Sequence, residues 1–524
     1  MNYLQIPEWS SEGRNLDHAE RNNLILNGEA IREKVLADLL NHIHVKAVDP
    51  DSVFTQTSSL LGCNFSRIED LLFGLHLSDQ YSDYNAAVSD LKKWATLSLF
   101  IDCRMNLSVK THSRTLSTEA VTDALDRLIP CLPHKPTSEQ LSAAIGCLWS
   151  FAKSNVIQRH MLYGDVGFGK TTPIGLIAAA CVLNGWTAVV MCPLTPLANQ
   201  IFNTLRQWFE QTEIQVKLVT ADTDEQSIEP GCLYVGTTAL LHCDIKNVDV
   251  LIADEEHRFG VSQINKMSAT NCHYLASSAT PIPRTVSLIS LGLFKELVLS
   301  KPFVEKCINS EVVDIENFGR VVASVRNCLK SGGQALFICC QKHASETSSK
   351  QHLLTCEEAF NKLQVFFPND VVQVNSDLSI EECEKNLALI RNGQKSIMVA
   401  TTSVEVGIDL PKLLYIGIYN PERFGLAQLH QLRGRVGRQG DHAVCHLITT
   451  KHVTTDQLSR LNFLASTTDG RLIAEFDADR RGWGSLFDTK QSGKYQHTFL
   501  DNYSPTVQEM TEIRNLFLFN QKAQ

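Results

Sequence analysis

The strongest constraint on this chain is the stretch GDVGFGKTT, residues 164–172. Gly164, Gly169, Lys170 and Thr171 fit G-x-x-x-x-G-K-[ST], with an apolar run at Met161 to Tyr163 before it and an apolar, Ala-rich stretch after it. In the order strand, loop, helix, backbone N–H groups can wrap a phosphate chain. Glycines leave room for the approach, and the helix turns its positive end toward the charge. Gly164, Asp165, Val166, Gly167, Phe168, Gly169, Lys170, Thr171 and Thr172 are therefore the expected cradle. In it Lys170 reaches the β and γ phosphates, and the Thr171 hydroxyl holds Mg²⁺. Pro173 is compatible, because in the first helical turn it gives up an N–H that has no partner. The plain alternative is a glycine-rich turn that binds nothing.

A chain of 524 residues is too long for one core and predicts about three or four units. With 44% hydrophobic and 20% charged residues it reads as a globular protein. The formal charge of −9 argues against a basic coat, though a local basic groove is compatible with it. The sixteen cysteines are scattered without a C-x-x-C pair, which predicts neither a zinc framework nor a disulfide scaffold but a reducing cytoplasm. The opening MNYLQIPEWSSEGRN has no basic region followed by an apolar core, and no apolar run approaches 18 residues. The expectation is a chain without signal peptide or membrane span.

Residues 1–130 read as mostly helical: 28–43, RIEDLLFGLHLSD and AAVSDLKKWATLSLFIDCRMN all carry apolar residues at helical spacing. The prolines near 131–136 mark a boundary. Over 131–305, β-rich runs alternate with helical stretches: the run before Gly164, TAVVMC, CLYVG, VDVLIAD and HYLASSA. Over 306–455 a second series follows, QALFICC, VVQV, SIMVA, LLYIGI and AVCHLI. Apolar strands alternating with helices predict parallel sheets covered on both faces, so two α/β domains are expected, the first carrying the phosphate loop.

VDVLIAD delivers Asp254 and Glu255 to the carboxyl end of a strand, the edge where open α/β sheets bind ligands. Asp254 is placed to hold Mg²⁺, and Glu255 to position and deprotonate an attacking water. In HQLRGRVGR, Gln431, Gly434, Arg435, Gly437 and Arg438 form Q-x-x-G-R-x-G-R. Arginine is always charged and forks onto phosphate oxygens, so Arg435 and Arg438 can stabilise a transferred γ-phosphoryl group, an effect worth on the order of 10³ or more in rate. If they reach the nucleotide across a cleft, hydrolysis requires the two domains to close. A solvated turn and a solvated basic helix face are the plain alternatives.

GDVGFGKT, ADEEHRFGV, SATPIPRT, ATTSVEVGIDLP and ERFGLAQLHQLRGRVGR resemble the successive motifs of superfamily 2 helicases, and within them the RecG branch with Mfd as its cousin. The resemblance covers about 131–493 and implies two tandem RecA-like domains, ATP and Mg²⁺. It also assigns roles by position. Thr137 and Gln140 resemble the adenine-side motif, while CPLTPLANQ and GTTAL, with Thr237, resemble backbone-gripping segments, which carry little sequence information. Ser278 and Thr280 resemble the element that links hydrolysis to strand movement, and Thr401, Thr402, Glu405, Gly407 and Asp409 its counterpart in the second domain.

Residues 456–524 are expected to hold a helical hairpin, loop and tail. Within them 466–493 resemble the translocation hairpin and loop shared by RecG and Mfd, with Arg481, Gly482, Gly484, Gln491 and Gly493 at the recurrent positions and departures at Ala478, Arg480, Trp483 and Asp488. The implied activity is ATP-dependent movement on duplex or branched DNA by a monomer that uses no membrane. An oligonucleotide-binding wedge like RecG's is not legible in the first 50 residues, so the N-terminal region is an expected protein-partner surface. The alternatives are a partner-recruited duplex translocase that does not separate strands, and an inactive DNA-binding scaffold.

Overall fold

In the computed structural model of the protein the described residues are 35–37, 40–41, 49–76, 80–106, 111–112, 114–153, 155–221, 223, 228–243, 248–260, 263, 266, 271–281, 283–301, 306–340, 354–375, 378–401, 410, 412–437, 439–450, 453–481 and 503–522. Most of the expected helix at 28–43 lies outside them. Two compact units are present: one of 1–110, 282–295 and 475–524, and one of 111–281 and 296–474.

The first unit is helical. It holds α1 (Pro50–Leu60), α2 (Ile68–His76) and α3 (Tyr81–Asn106), two of which match the apolar helices expected from the sequence. Trp94 of α3 is fully buried and stacks on Phe54 of α1 at 4.8 Å between ring centroids. Asp90 fixes the turn entering α2, accepting from Asn64 Nδ2 at 3.0 Å and from the Phe65 N–H at 2.9 Å.

The second unit contains both sheets. Its first lobe opens with α4 (Thr118–Leu128) and α5 (Ser138–Ala152), then β1 (Arg159–Gly164), α6 (Thr171–Leu183), β2 (Ala188–Met191), α7 (Thr195–Trp208), β3 (Val216–Val219), β4 (Leu233–Gly236), β5 (Val250–Ala253) and β6 (His273–Ser278). After α8 (Pro283–Ser290), which belongs to the helical unit, β7 (Lys295–Leu299) completes a sheet of order β3-β4-β2-β5-β6-β1-β7. The pairs from β3 through β1 are all parallel. α6 is buried along nearly its whole length, which is why its sequence lacks a polar face.

The second lobe runs β8 (Cys307–Asp314), α9 (Phe318–Lys330), β9 (Gln334–Cys339), α10 (Cys356–Phe366), β10 (Val371–Val374), α11 (Ile380–Arg391), β11 (Ile397–Thr401), β12 (Leu413–Tyr419), α12 (Leu426–Arg433) and β13 (His442–Thr449). Its sheet, β10-β11-β9-β12-β13-β8, is parallel throughout. α13 (Thr455–Ser466) and α14 (Gly470–Arg481) follow. The last helix, α15 (Val507–Lys522), belongs to the helical unit, where Arg514 donates to the Ile289 carbonyl at 3.2 Å and Tyr503 OH lies 3.1 Å from Thr96 Oγ1. The tail, unassigned from sequence, therefore packs on α3 and α8.

At the amino ends of the first sheet's strands His273, fully buried, stacks on Phe151 at 4.2 Å and on Trp186 at 5.5 Å. Burial, reinforced by His112 and His160, pushes its imidazole down to about 3. The unfolded chain takes up this proton first as pH falls, so stability is lost progressively below about pH 6.5. This single group should remove about 2 kcal/mol by pH 5. Urea melts at pH 7.5 and 5.0 should show a smaller acid loss in His273→Phe than in the parent chain.

Candidate nucleotide site

The cradle forms where β1 stops. Gly164 is closely covered, since a Cβ there would lie 3.1 Å from Leu299 Cβ. Gly167 and Gly169 adopt φ of +89° and +72°, values that L side chains rarely take. Lys170 lies back along the loop, donating to the Gly164 carbonyl at 2.8 Å, and its ammonium is 3.7 Å from Glu255 Oε1. Thr171 and Thr172 open α6. Gln140 braces the loop from outside: its Nε2 donates to the Phe168 and Gly169 carbonyls at 3.2 Å each, while its Oε1 accepts the Thr137 N–H in a capping box that starts α5.

β5, separated from β1 by β6, brings the acids to the same edge of the sheet. Asp254 is buried and accepts a short hydrogen bond from Ser277 Oγ. Burial first, and then the charge of Glu255, raise its carboxyl above the usual range. Glu255 is also pulled upward by burial, but Lys170 first and Arg258 with it outweigh this and hold it low. Its backbone is left-handed, φ 53° and ψ 51°, a conformation that costs a non-glycine residue on the order of 1 kcal/mol. Among the described residues, the buried Glu255 Oε2 and Thr280 Oγ1 atoms find no hydrogen-bond partner.

Sequence reasoning passed over two histidines here. His257 Nδ1 lies 3.0 Å from Ser278 Oγ, and its Nε2 lies 2.6 Å from Gln431 Nε2 of the second lobe. Burial pushes this imidazole down to about 4 against the pull of Glu255, so it is neutral at pH 7. As a neutral ring it accepts from the Gln431 amide at Nε2 and donates from Nδ1 to Ser278, whose hydroxyl donates on to the Thr280 carbonyl at 2.9 Å. Arg258 donates to Gln431 Oε1 at 3.2 Å, so both ends of that amide are held by the first lobe.

The second histidine, His430 of α12, places Nε2 2.8 Å from Asp165 Oδ1 and receives Arg433 Nη2 at Nδ1, also 2.8 Å. An arginine can only donate, so Nδ1 accepts and the Nε2–H points at Asp165. Burial works to raise Asp165, yet the His430 hydrogen bond, the Val166 N–H and Lys306 hold it below the usual range. Arg433 is buried and also donates to the Leu464 and Thr467 carbonyls at 2.5 and 2.7 Å. A cleft of about 410 Å³ opens beside this cluster, lined by Phe168, Ser300, Lys306, Arg433, Asp469 and Arg471 among others.

Gly434, the residue before Arg435, sits against the phosphate loop: a Cβ on it would lie 3.0 Å from Val166 Cβ. The turn bearing Arg435 therefore abuts the cradle. Arg438, Thr402, Glu405, Gly407, Asp409 and Gln491 lie outside the described residues, as does the side chain of Arg481. Thr237 is buried at the end of β4, its hydroxyl accepting from the Ala239 N–H at 3.4 Å.

The sequence matches the DEAD/DEAH box helicase model over residues 143–289 and the helicase conserved C-terminal domain model over 320–440. It is 34% identical over 386 residues to the ATP-dependent DNA helicase RecG of Thermotoga maritima, covering 70% of this chain and 49% of that one. To the RecG of Escherichia coli O157:H7 it is 31% identical over 411 residues, covering 74% and 58%. A solved RecG bound to a three-way DNA junction superposes with a TM-score of 0.62 at 27% identity, over 90% of this chain and 62% of that one. The chain belongs to the RecG-like superfamily 2 helicases. It spans about half the length of the curated RecG relatives it matches. The two parallel-sheet lobes are the tandem RecA-like domains of this family, with a helical N-terminal region.

Arg433→Met would strip donors from His430 and from the Leu464 and Thr467 carbonyls. We expect a loss of about 3 kcal/mol in urea unfolding, only partly recovered by Arg433→Lys, whose point charge cannot fork onto three acceptors.

Proposed function

We propose that this RecG-like motor hydrolyses ATP and uses the cycle to move on duplex or branched DNA, remodelling forks or junctions. The observation that carries the reading is the meeting of three parts in one place: the Lys170 loop, Glu255 beside it, and the Gly434–Arg435 turn of the other lobe seated on Val166. In this scheme residues 131–305 and 306–455 are the two lobes, 1–130 is a helical region open to a protein partner, and 456–524 is the hairpin, loop and tail. The motor acts as a monomer in the cytoplasm; among the described residues no helix is long and apolar enough to cross a membrane.

Asp254 and Thr171 supply one carboxylate and one hydroxyl, a set that suits Mg²⁺ completed by phosphate oxygens and water. A cation there would offset the cost of keeping the buried, raised Asp254 charged. When bound, Mg²⁺ would neutralise charge on the phosphates. Glu255, held ionised by Lys170, then orients the attacking water and takes its proton. Arg435 and Arg438 stabilise the charge that develops on the γ-phosphoryl group once the lobes close. Gln431, His257, Ser278 and Thr280 form one line of hydrogen bonds from the second lobe into the first, a route by which phosphate occupancy would be passed toward the residues assigned to DNA, Thr237, Thr402, Arg481 and Gln491.

Purified protein should hydrolyse ATP faster with forked or duplex DNA than without, and Glu255→Gln should lower kcat by about a hundredfold while nucleotide still binds. Absence of stimulation by single-stranded, linear duplex and forked DNA alike would end the DNA reading. Turnover on duplex without unwinding of a fork would instead select a partner-recruited translocase.

A further inference from the structure

Lys306, the residue before β8, lies outside every motif noted above. Its ammonium donates to the Val166 carbonyl and to the Gly434 carbonyl, 2.8 Å in each case. Val166 belongs to the phosphate loop of the first lobe, and Gly434 closes α12 of the second. The lysine stem runs along Gly167, where a Cβ would lie 3.6 Å from both Cε and Nζ. Carbonyl oxygens at the end of a helix carry partial negative charge, and Gly434 directly follows α12, so a cation is the appropriate cap. A single point charge thus joins two backbones that otherwise meet through the Val166 side chain and the glycine.

We propose that Lys306 is a positioning residue that sets the register of the Arg435 turn on the phosphate loop. Arg435 is one peptide bond from the carbonyl that Lys306 holds, so a shift of Gly434 is transmitted directly to where the guanidinium starts. The Asp165–His430 hydrogen bond anchors α12 one turn earlier, at 2.8 Å. His430 and Gln431 stay tied to Asp165, His257 and Arg258 without Lys306, but the turn beyond them, Gly434 and Arg435, loses the charge that fixes it to the loop. The group held in place acts on the developing γ-phosphoryl charge, so the effect belongs to turnover rather than to nucleotide capture.

This inference rests on the ATPase reading, and full-length protein separates the two. If the parent chain does not hydrolyse ATP, that reading fails. If it does, Lys306→Met should lower DNA-stimulated kcat about tenfold with the Kd for a fluorescent ATP analogue nearly unchanged. Lys306→Arg, which can still donate to both carbonyls, should restore most of the rate. In an Arg435→Ala background Lys306→Met should cost nothing more, because the residue it positions is already gone. Multiplied losses in the double variant would overturn the proposal. So would an unchanged kcat, or a Kd weakened as much as kcat falls, which would make Lys306 a direct phosphate ligand. Lys306→Gln, neutral but still a donor, carries the same comparison should Lys306→Met not fold.

Discussion

The seating of Gly434 on Val166 is the contact on which the proposed chemistry depends. A phosphate loop alone binds nucleotide; it becomes a motor site only if a second body brings cationic groups to the same phosphates. Here the second body arrives as the end of a helix, and helix ends abut closely only where no Cβ intervenes. Gly434 therefore matters for what it lacks. Around it the Asp165–His430 bond and the His257–Gln431 bond hold α12 on two sides, so the approach is fixed in rotation as well as in distance.

The His257 clasp uses a neutral imidazole, and the electrostatics explain why. The site already concentrates Lys170 and Arg258 on Glu255, and Lys170 acts on Asp254 as well. A protonated His257 would add a buried positive charge beside Lys170 and Arg258, and desolvation forbids it. A neutral ring offers one donor and one acceptor on opposite sides, which is what a line from an amide to a hydroxyl requires. Glu255 is the exception that stays charged, and its strained backbone marks the purpose. At the matching place in the second lobe, after β12, the left-handed residue is Asn420, with φ 50° and ψ 53°. Asparagine takes that conformation cheaply, and glutamate does not. The first lobe accepts the strain to aim a carboxylate at Lys170; the second, with no phosphate loop, uses the economical residue.

The ten β-rich runs read from sequence all correspond to strands, and the three that escaped notice share a cause. β3 and β7 are the edges of the first sheet and β8 is an edge of the second. Edge strands are covered on fewer sides, and KELVL or CINSEVVD mixes polar with apolar residues accordingly. β10 is also an edge, but its VVQV is mostly buried beneath α10 and α11 and so remained legible. The site divides in the same way. Residues whose chemistry is local, such as the glycines of the loop, were readable one at a time. His257, His430 and Lys306 act by bridging positions more than a hundred residues apart, and no local pattern encodes such a pairing.

Gln140 shows how a motif can be located while its work is only half described. The resemblance places it beside the adenine, yet the side chain is 1% exposed and both ends of its amide are engaged by the protein. Its Oε1 must accept from Thr137 and its Nε2 must donate to two loop carbonyls, demands that a glutamate would fail by presenting acceptors to acceptors. The amide thus holds the Phe168 and Gly169 carbonyls on its own side of the loop. A nucleobase that hydrogen-bonds to this side chain has to draw on the same amide that shapes the loop. If Gln140 also reads the base as the resemblance implies, base recognition and phosphate grip become one equilibrium, in which a nucleotide lacking the right edge loosens the cradle.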